Sequence, residues 1–264
     1  MEKYKSDYTA SYYKDKRAGV HYDKGISNRF ELLLFELEKR VLFKQVEEIE
    51  KVLPSISYLD FACGTGRIIA LFDGDFDKAL GVDTNPTQLE VARQKAAHAS
   101  FIEGNIVTDP GLIADGSVNL ITSFRLMLNL EPDNRGVILR ELHRTLSDGG
   151  YLIVDNHMNR YSFLGLIALF MRKVLRYPDK SNLQPGQKGI INTMTERQMR
   201  RLLKMSGFEL LQVARCGILP GHKSFCLLPE KLLIPVESFL SRIPVVNLLS
   251  KNQIFLCKKK NDQT

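Results

Sequence analysis

From about residue 55 the chain alternates short apolar runs with stretches of helical period. Ser57–Phe61, Ala79–Val82, Ser100–Ile102, Val118–Ser123, Tyr151–Asp155 and Phe208–Arg215 read as strands, and Gln253–Lys258 as a seventh. Between them Arg67–Phe72 opens a helix, and Pro86–Ala97, Asn134–Leu146 and Thr195–Ser206 read as helices. Pro86 suits a first helical position, with Thr84 or Asn85 as the cap before it. Ser147-Asp148-Gly149-Gly150 and Gly207 supply stops. Strands alternating with helices predict an α/β domain whose parallel sheet is covered on both faces. Its ligand belongs beyond the carboxyl ends of the strands, near the switch in strand order.

Three segments break the alternation. Residues 1–54 hold a tyrosine-rich start (Tyr4, Tyr8, Tyr12, Tyr13, Tyr22) and then an amphipathic helix from Ser27 to about Val52, together read as an N-terminal helical cap. Residues 55–264 form the main domain, with insertions at 156–194 and 217–252. The first insertion contains the apolar run Phe163–Phe170, and the second is punctuated by Pro220, Pro229, Pro235 and Pro244. Both are expected to stack as helical lids over the substrate side of the sheet. The run Phe163–Phe170 is far short of the ~20 residues that span a bilayer. With Arg172, Lys173 and Arg176 after it, the run suits either a lid or a membrane surface.

Composition changes this picture in two ways. The net charge of +7 is divided unevenly: residues 1–150 carry −4 and residues 151–264 carry +11. A basic second half suits a phosphorylated substrate, nucleic acid or anionic lipid, or is simply a solvated surface. The four cysteines (Cys63, Cys216, Cys226, Cys257) are scattered, with no CxxC pair and no Cys/His cluster at metal-ligand spacing. Reduced thiols, no metal and a cytoplasmic protein, at most peripheral at a membrane, are the expectation. The polar, charged start lacks the apolar stretch of a signal peptide.

The candidate chemistry begins at "LDFACGTGR", residues 59–67. A strand ends in Asp60 and Phe61, and Gly64-Thr65-Gly66 then turn into an apolar periodic stretch. Glycine permits both the turn and a close approach of backbone to a ligand, and a helix amino end favours a negative group. Asp83 ends the next strand, 23 residues after Asp60, where an acid can accept hydrogen bonds from ribose hydroxyls. The dinucleotide pattern G-x-G-x-x-G/A fails because Ile69 stands at its third position, and no P-loop lysine follows. A nucleoside-like ligand without a pyrophosphate remains.

"LDFACGTGR", "ALGVDTNPTQLEVARQKA", "FIEGNI" and "ELHRTLSDGGYLIVDNH" together resemble the class I S-adenosylmethionine-dependent methyltransferases. They are most similar to the small-molecule branch that includes quinone and natural-product methyltransferases. The resemblance covers about residues 55–157 and, more weakly, 208–215. It implies a Rossmann-like, doubly wound, seven-stranded sheet, mostly parallel with an antiparallel last strand, and S-adenosylmethionine as cofactor. Gly64 and Gly66 would lie under the methionine part, with Asp60 reaching its ammonium directly or through water. Asp83 would take the ribose hydroxyls and Thr84 would line the adenosine. Asn105, standing where the family has an aspartate, would accept from the adenine amino group, and Ile106 would pack on the ring. Arg125 stands where backbone meets the methionine end. Ala62 replaces a frequent glycine, and Tyr22, with His21, would close over the cofactor.

A sulfonium methyl is already an activated electrophile, so the acceptor must be oriented in line and water excluded. His157, two residues beyond the fifth strand, is the candidate base for a hydroxyl acceptor. His143 reads as structural and His222 as a weaker candidate beside the second insertion. The apolar, basic insertions suit a small or lipid-like acceptor that carries an acidic group, with transfer to oxygen. RNA or protein methylation is the alternative. Ser123-Phe124-Arg125-Leu126 is not the Asn/Asp-Pro-Pro-aromatic motif of nucleic-acid amino-methyltransferases, which disfavours nucleic acid. A non-catalytic protein that binds S-adenosylmethionine is the third reading.

Overall fold

The computed structural model describes residues 29–174, 193–219, 221–222, 225–226 and 230–260. The strands are β1 (Ser57–Phe61), β2 (Lys78–Asp83), β3 (Ser100–Glu103), β4 (Val118–Ser123), β5 (Leu146–His157), β6 (Phe208–Cys216) and β7 (Asn252–Lys259). They form one sheet in the order β3-β2-β1-β4-β5-β7-β6. The first five are mutually parallel, and β7 runs antiparallel to both β5 and β6. This is the expected Rossmann-like sheet, with the last strand inserted between the fifth and sixth. Two-residue strands Gly221–His222 and Phe225–Cys226 pair in a separate hairpin.

The helices are α1 (Arg29–Glu50), α2 (Pro86–Lys95), α3 (Pro132–Thr145), α4 (Phe163–Lys173), α5 (Glu196–Met205), α6 (Glu230–Leu240) and α7 (Pro244–Asn247). The side chain of Asn85 caps α2 by accepting from the amides of Thr87 and Gln88. Thr195 and Gln198 form a reciprocal capping box at the start of α5. The helix expected at Arg67–Phe72 is only a 3₁₀ turn, Ile69–Phe72. The amide of its first residue, Ile69, donates to Asp60 Oδ2 at 3.1 Å, and Gly74 in the left-handed region (φ 89°) follows after Asp73.

The pleat sorts alternate residues into two cores. On one face Leu59, Ile121, Leu152, Val154 and Phe255 pack with Ile138, Leu142 and Leu203 of α3 and α5. On the other, Tyr58, Leu120, Ile153, Ile254 and Leu256 pack with Leu34, Leu37, Leu42, Val46 and Ile49 of α1. The first long helix is thus one wall of the sheet. Both insertions leave from the strands' ligand end. Asn159 joins them: its Nδ2 donates to Leu248 O at 2.9 Å and Ser250 O at 3.1 Å, and its amide donates to Lys251 O. Among the described residues no helix is long and apolar enough to cross a membrane. Cys63, Cys216 and Cys257 are buried free thiols.

Candidate active site

The turn after β1 is held from three sides. Ala62, Gly64 and Gly66 all have left-handed backbones, with φ of 58°, 55° and 74°. The amide of Cys63 donates to Val82 O at 3.1 Å, and the amide of Gly64 donates to Asp83 Oδ2 at 2.8 Å. A Cβ on Gly66 would come within 2.9 Å of the backbone of Ala92, so the glycine lets α2 sit against the turn. Below it, Tyr58 Oη and Thr122 Oγ1 share a hydrogen bond of 2.6 Å. Thr122 in turn donates to Asp60 Oδ1 at 2.8 Å.

Asp60 is therefore an anchor of the turn, only 1% exposed. Burial raises its pKa to about 7, against the hydrogen bonds from Thr122 and Ile69. Both of its carboxylate oxygens are engaged within the turn, Oδ1 by Thr122 and Oδ2 by Ile69. Asp83 is half-buried. Its Oδ2 accepts from Gly64 and its Oδ1 from the amide of Asn85 at 2.9 Å. Burial raises its pKa, and these amides oppose the rise. Each carboxylate oxygen keeps a lone pair for a hydroxyl donor. Thr84 beside it is half-buried.

Asn105 closes a local turn, its Oδ1 accepting from the amide of Val107 at 3.0 Å. Ile106 is 0% exposed within the core that holds Phe61 and Val82. It presents no surface to a ring, so it supports the floor from below; an apolar residue after a turn reads the same in sequence either way. Tyr22 and His21 lie outside the described residues.

A second group of side chains lies where the carboxyl ends of β4 and β5 meet α1. Glu31 is 3.0 Å from both Arg125 and Lys251. Glu38 is 3.0 Å from Arg67 and 3.8 Å from Arg125, and it accepts from Asn252 Nδ2. The amide of Arg125, whose φ is 58°, donates to Asp155 Oδ1 at 2.7 Å. Its carbonyl accepts from Asn129 Nδ2 at 2.7 Å. Burial would raise the pKa of Glu31, but Lys251 and Arg125 outweigh it and hold the carboxyl below its usual range. Asp155, fully buried and near Glu38, is pushed up to about 7.

His157 stands within this group, 7% exposed and paired in register with Asn252. Burial, then Arg125, Lys251 and Arg67, lower its pKa well below the usual 6.5. Each of these influences favours the neutral imidazole. As a proton acceptor it is weak, because the imidazolium would form beside three cations. Glu38, Asp155 and His157 bring possible metal-ligating atoms within 4.8 Å of one another. However, Glu31, Glu38 and Asp155 already face Arg67, Arg125 and Lys251, and an added divalent cation would upset that balance. Ser123 Oγ, Asp155 Oδ2, His157 Nδ1 and Asn252 Oδ1, all buried at this end, make no hydrogen bond among the described residues.

The sequence reading did not select Glu31, Glu38, Asp155 or Lys251. Its available signal was two acids seven residues apart on the apolar stripe of α1, beside Leu34, Leu37 and Leu42.

Residues 59–150 match the family model described as a methyltransferase domain. The segment holds the β1 turn, Asp83, Asn105 and Arg125. An uncharacterized methyltransferase of Synechocystis is 25% identical over 122 residues, 46% of this chain. The match spans only 57% of that relative's length. Magnesium protoporphyrin IX methyltransferase from Synechocystis with bound SAH has the same fold, with a TM-score of 0.63 at 13% identity, over 97% of this chain and 100% of that one. A SAM-dependent methyltransferase, possible histamine N-methyltransferase, from Thermotoga maritima superposes with a TM-score of 0.56 at 17% identity, over 95% and 100%.

Proposed function

We propose that the chain is an S-adenosylmethionine-dependent methyltransferase acting on a small or lipid-like acceptor at an oxygen that arrives ionised. The observation that carries the cofactor reading is the bridge from Gly64 N to Asp83 Oδ2. It fixes a left-handed backbone turn against a carboxylate that can still accept from a diol. Gly64 and Gly66 would let the ligand approach the turn, Asp83 and Thr84 would hold the ribose side, and the amide-rich turn at Asn105 would border the base. When bound, the cofactor supplies an electrophilic methyl group on a sulfonium.

The acceptor reading rests on the other group. A neutral His157 among cations favours an acceptor already without its proton, such as a carboxylate or an acidic phenol. The unpaired Ser123 Oγ, Asp155 Oδ2, His157 Nδ1 and Asn252 Oδ1 offer such a molecule polar partners at the end of the sheet. His157 then orients the acceptor and takes no proton. The net +11 of residues 151–264 favours an anion.

Titration calorimetry with S-adenosylhomocysteine tests the cofactor half. The natural chain should bind, and Asp83→Ala should bind more weakly by about 1–3 kcal/mol. Because Asp83 also holds the turn, Asp83→Asn and a thermal melt separate lost contact from lost fold. No heat from the natural chain, or equal affinity in a folded Asp83→Ala, would overturn the reading.

A further inference from the structure

The two insertions carry an outer surface of unusual chemistry. In α4, Leu166, Ile167 and Phe170 are exposed, and so is Val174 just beyond it. At 100° per residue these four fall within about a 100° arc. In α6, Leu232, Pro235 and Phe239 are exposed along one stripe while Leu233 and Glu237 point inward. Val245 in α7, and Leu248 and Leu249 just after it, are exposed as well. Asn159, at the root of α4, grips the carbonyls of Leu248 and Ser250. The root of α4 is thereby tied to the end of α7.

Charge decides what such a surface suits. Between 163 and 174 and between 231 and 250, the exposed charged side chains among the described residues are Lys173, Lys231 and Arg242. All are cations. The acid in these stretches, Glu237, is 2% exposed. Its carboxylate is spent on the amides of Ile218 at 2.5 Å and Leu219 at 3.1 Å. Apolar side chains framed by lysine and arginine, with no exposed acid among the described residues 163–174 and 231–250, match the boundary between acyl chains and anionic headgroups. A two-fold contact with a second copy would instead set this cationic surface against itself.

We propose that α4, α6 and α7 form a docking surface for an anionic lipid bilayer, on which the chain lies without spanning it. The proposal is independent of methyl transfer and is tested without it. The full chain should co-sediment with vesicles of equimolar phosphatidylglycerol and phosphatidylcholine, and less with phosphatidylcholine alone. Added salt should weaken the first interaction. Phe170→Glu and Phe239→Glu should each lower vesicle affinity about tenfold or more. Both positions are exposed, so the melting temperature should not move. Lys173→Glu with Arg242→Glu should remove the preference for the anionic vesicles. Failure to sediment with either vesicle overturns the proposal. So does unchanged binding by the folded phenylalanine variants, or a dimer in solution that those variants dissociate.

Discussion

At the scale of single residues, the turn after β1 depends on backbone conformations that most side chains avoid. Gly66 meets two demands together: a φ of 74° and a gap of 2.9 Å between a built Cβ and Ala92. Replacing it with alanine should cost about 2–4 kcal/mol, from left-handed strain and from pushing α2 off the turn. Ala62 shows the reverse case. It holds a φ of 58° with a Cβ in place, so Ala62→Gly should gain up to about 1 kcal/mol, with relief of strain partly offset by chain entropy. Paired urea titrations check both signs. An unchanged midpoint for Gly66→Ala would mean that α2 yields freely. The two glycines were legible as letters in the sequence. The strain at Ala62 and Arg125 was not, because neither residue type signals a positive φ.

At the scale of elements, α1 works through what it brings to the sheet's ligand end. Glu31 and Glu38 neutralise Arg67, Arg125 and Lys251 in a largely buried setting. Loss of either acid would leave cations poorly compensated. The same region gives stability a pH dependence. Asp60 and Asp155 titrate at about 7 in the folded chain, against an ordinary 3.8. The folded chain holds more protons than the unfolded chain between those values. Stability from these two groups is thus full below pH 3.8 and is lost as pH rises towards 7. His157 acts in the opposite sense. Its folded pKa lies below 6.5, so stability rises with pH up to about that value. Asp155→Asn should make the fall in urea midpoint between about pH 5 and about pH 8 shallower. An equally steep fall would contradict a buried, protonated Asp155.

The elements themselves were largely legible, because strand and helix periods are local. β1 to β4, β6 and β7 lie within about a residue of the apolar runs that predicted them, whereas β5 begins five residues earlier than expected, at Leu146, and runs through Gly149-Gly150 to His157. α3 begins two residues earlier than expected, at Pro132, a first-turn proline that the apolar period did not count. Arg67–Phe72 shortens to the 3₁₀ turn Ile69–Phe72, whose first amide is held by Asp60, a residue of another element. The ionic group was out of reach for the same reason at longer range. Lys251 and Glu31 are 220 positions apart in the chain, and no period links them.

At the scale of the whole molecule, the chain divides its labour between its halves. The turn after β1, Asp83 and the first four strands come from the slightly acidic first part. The apolar and cationic surface comes from the insertions that follow. The strand order then joins them: β7 stands between β5 and β6 and hydrogen-bonds to both.

That placement of β7 also sets a schedule for biosynthesis. β5 and β6 leave the ribosome before the strand that separates them. Until β7 arrives, β5 has an unpaired apolar edge and β6 has no neighbour in the sheet. Such an edge is a template for pairing between chains. A nascent chain stalled at residue 251 should therefore be held by chaperones or accumulate in the insoluble fraction, while the chain through β7 is recovered soluble. Sedimentation of the two translation products would show it. Soluble, protease-resistant material at residue 251 would mean that β5 and β6 can meet without their mediator. The natural chain thus passes its most aggregation-prone moment late in synthesis, after its cofactor-side turn has already been made.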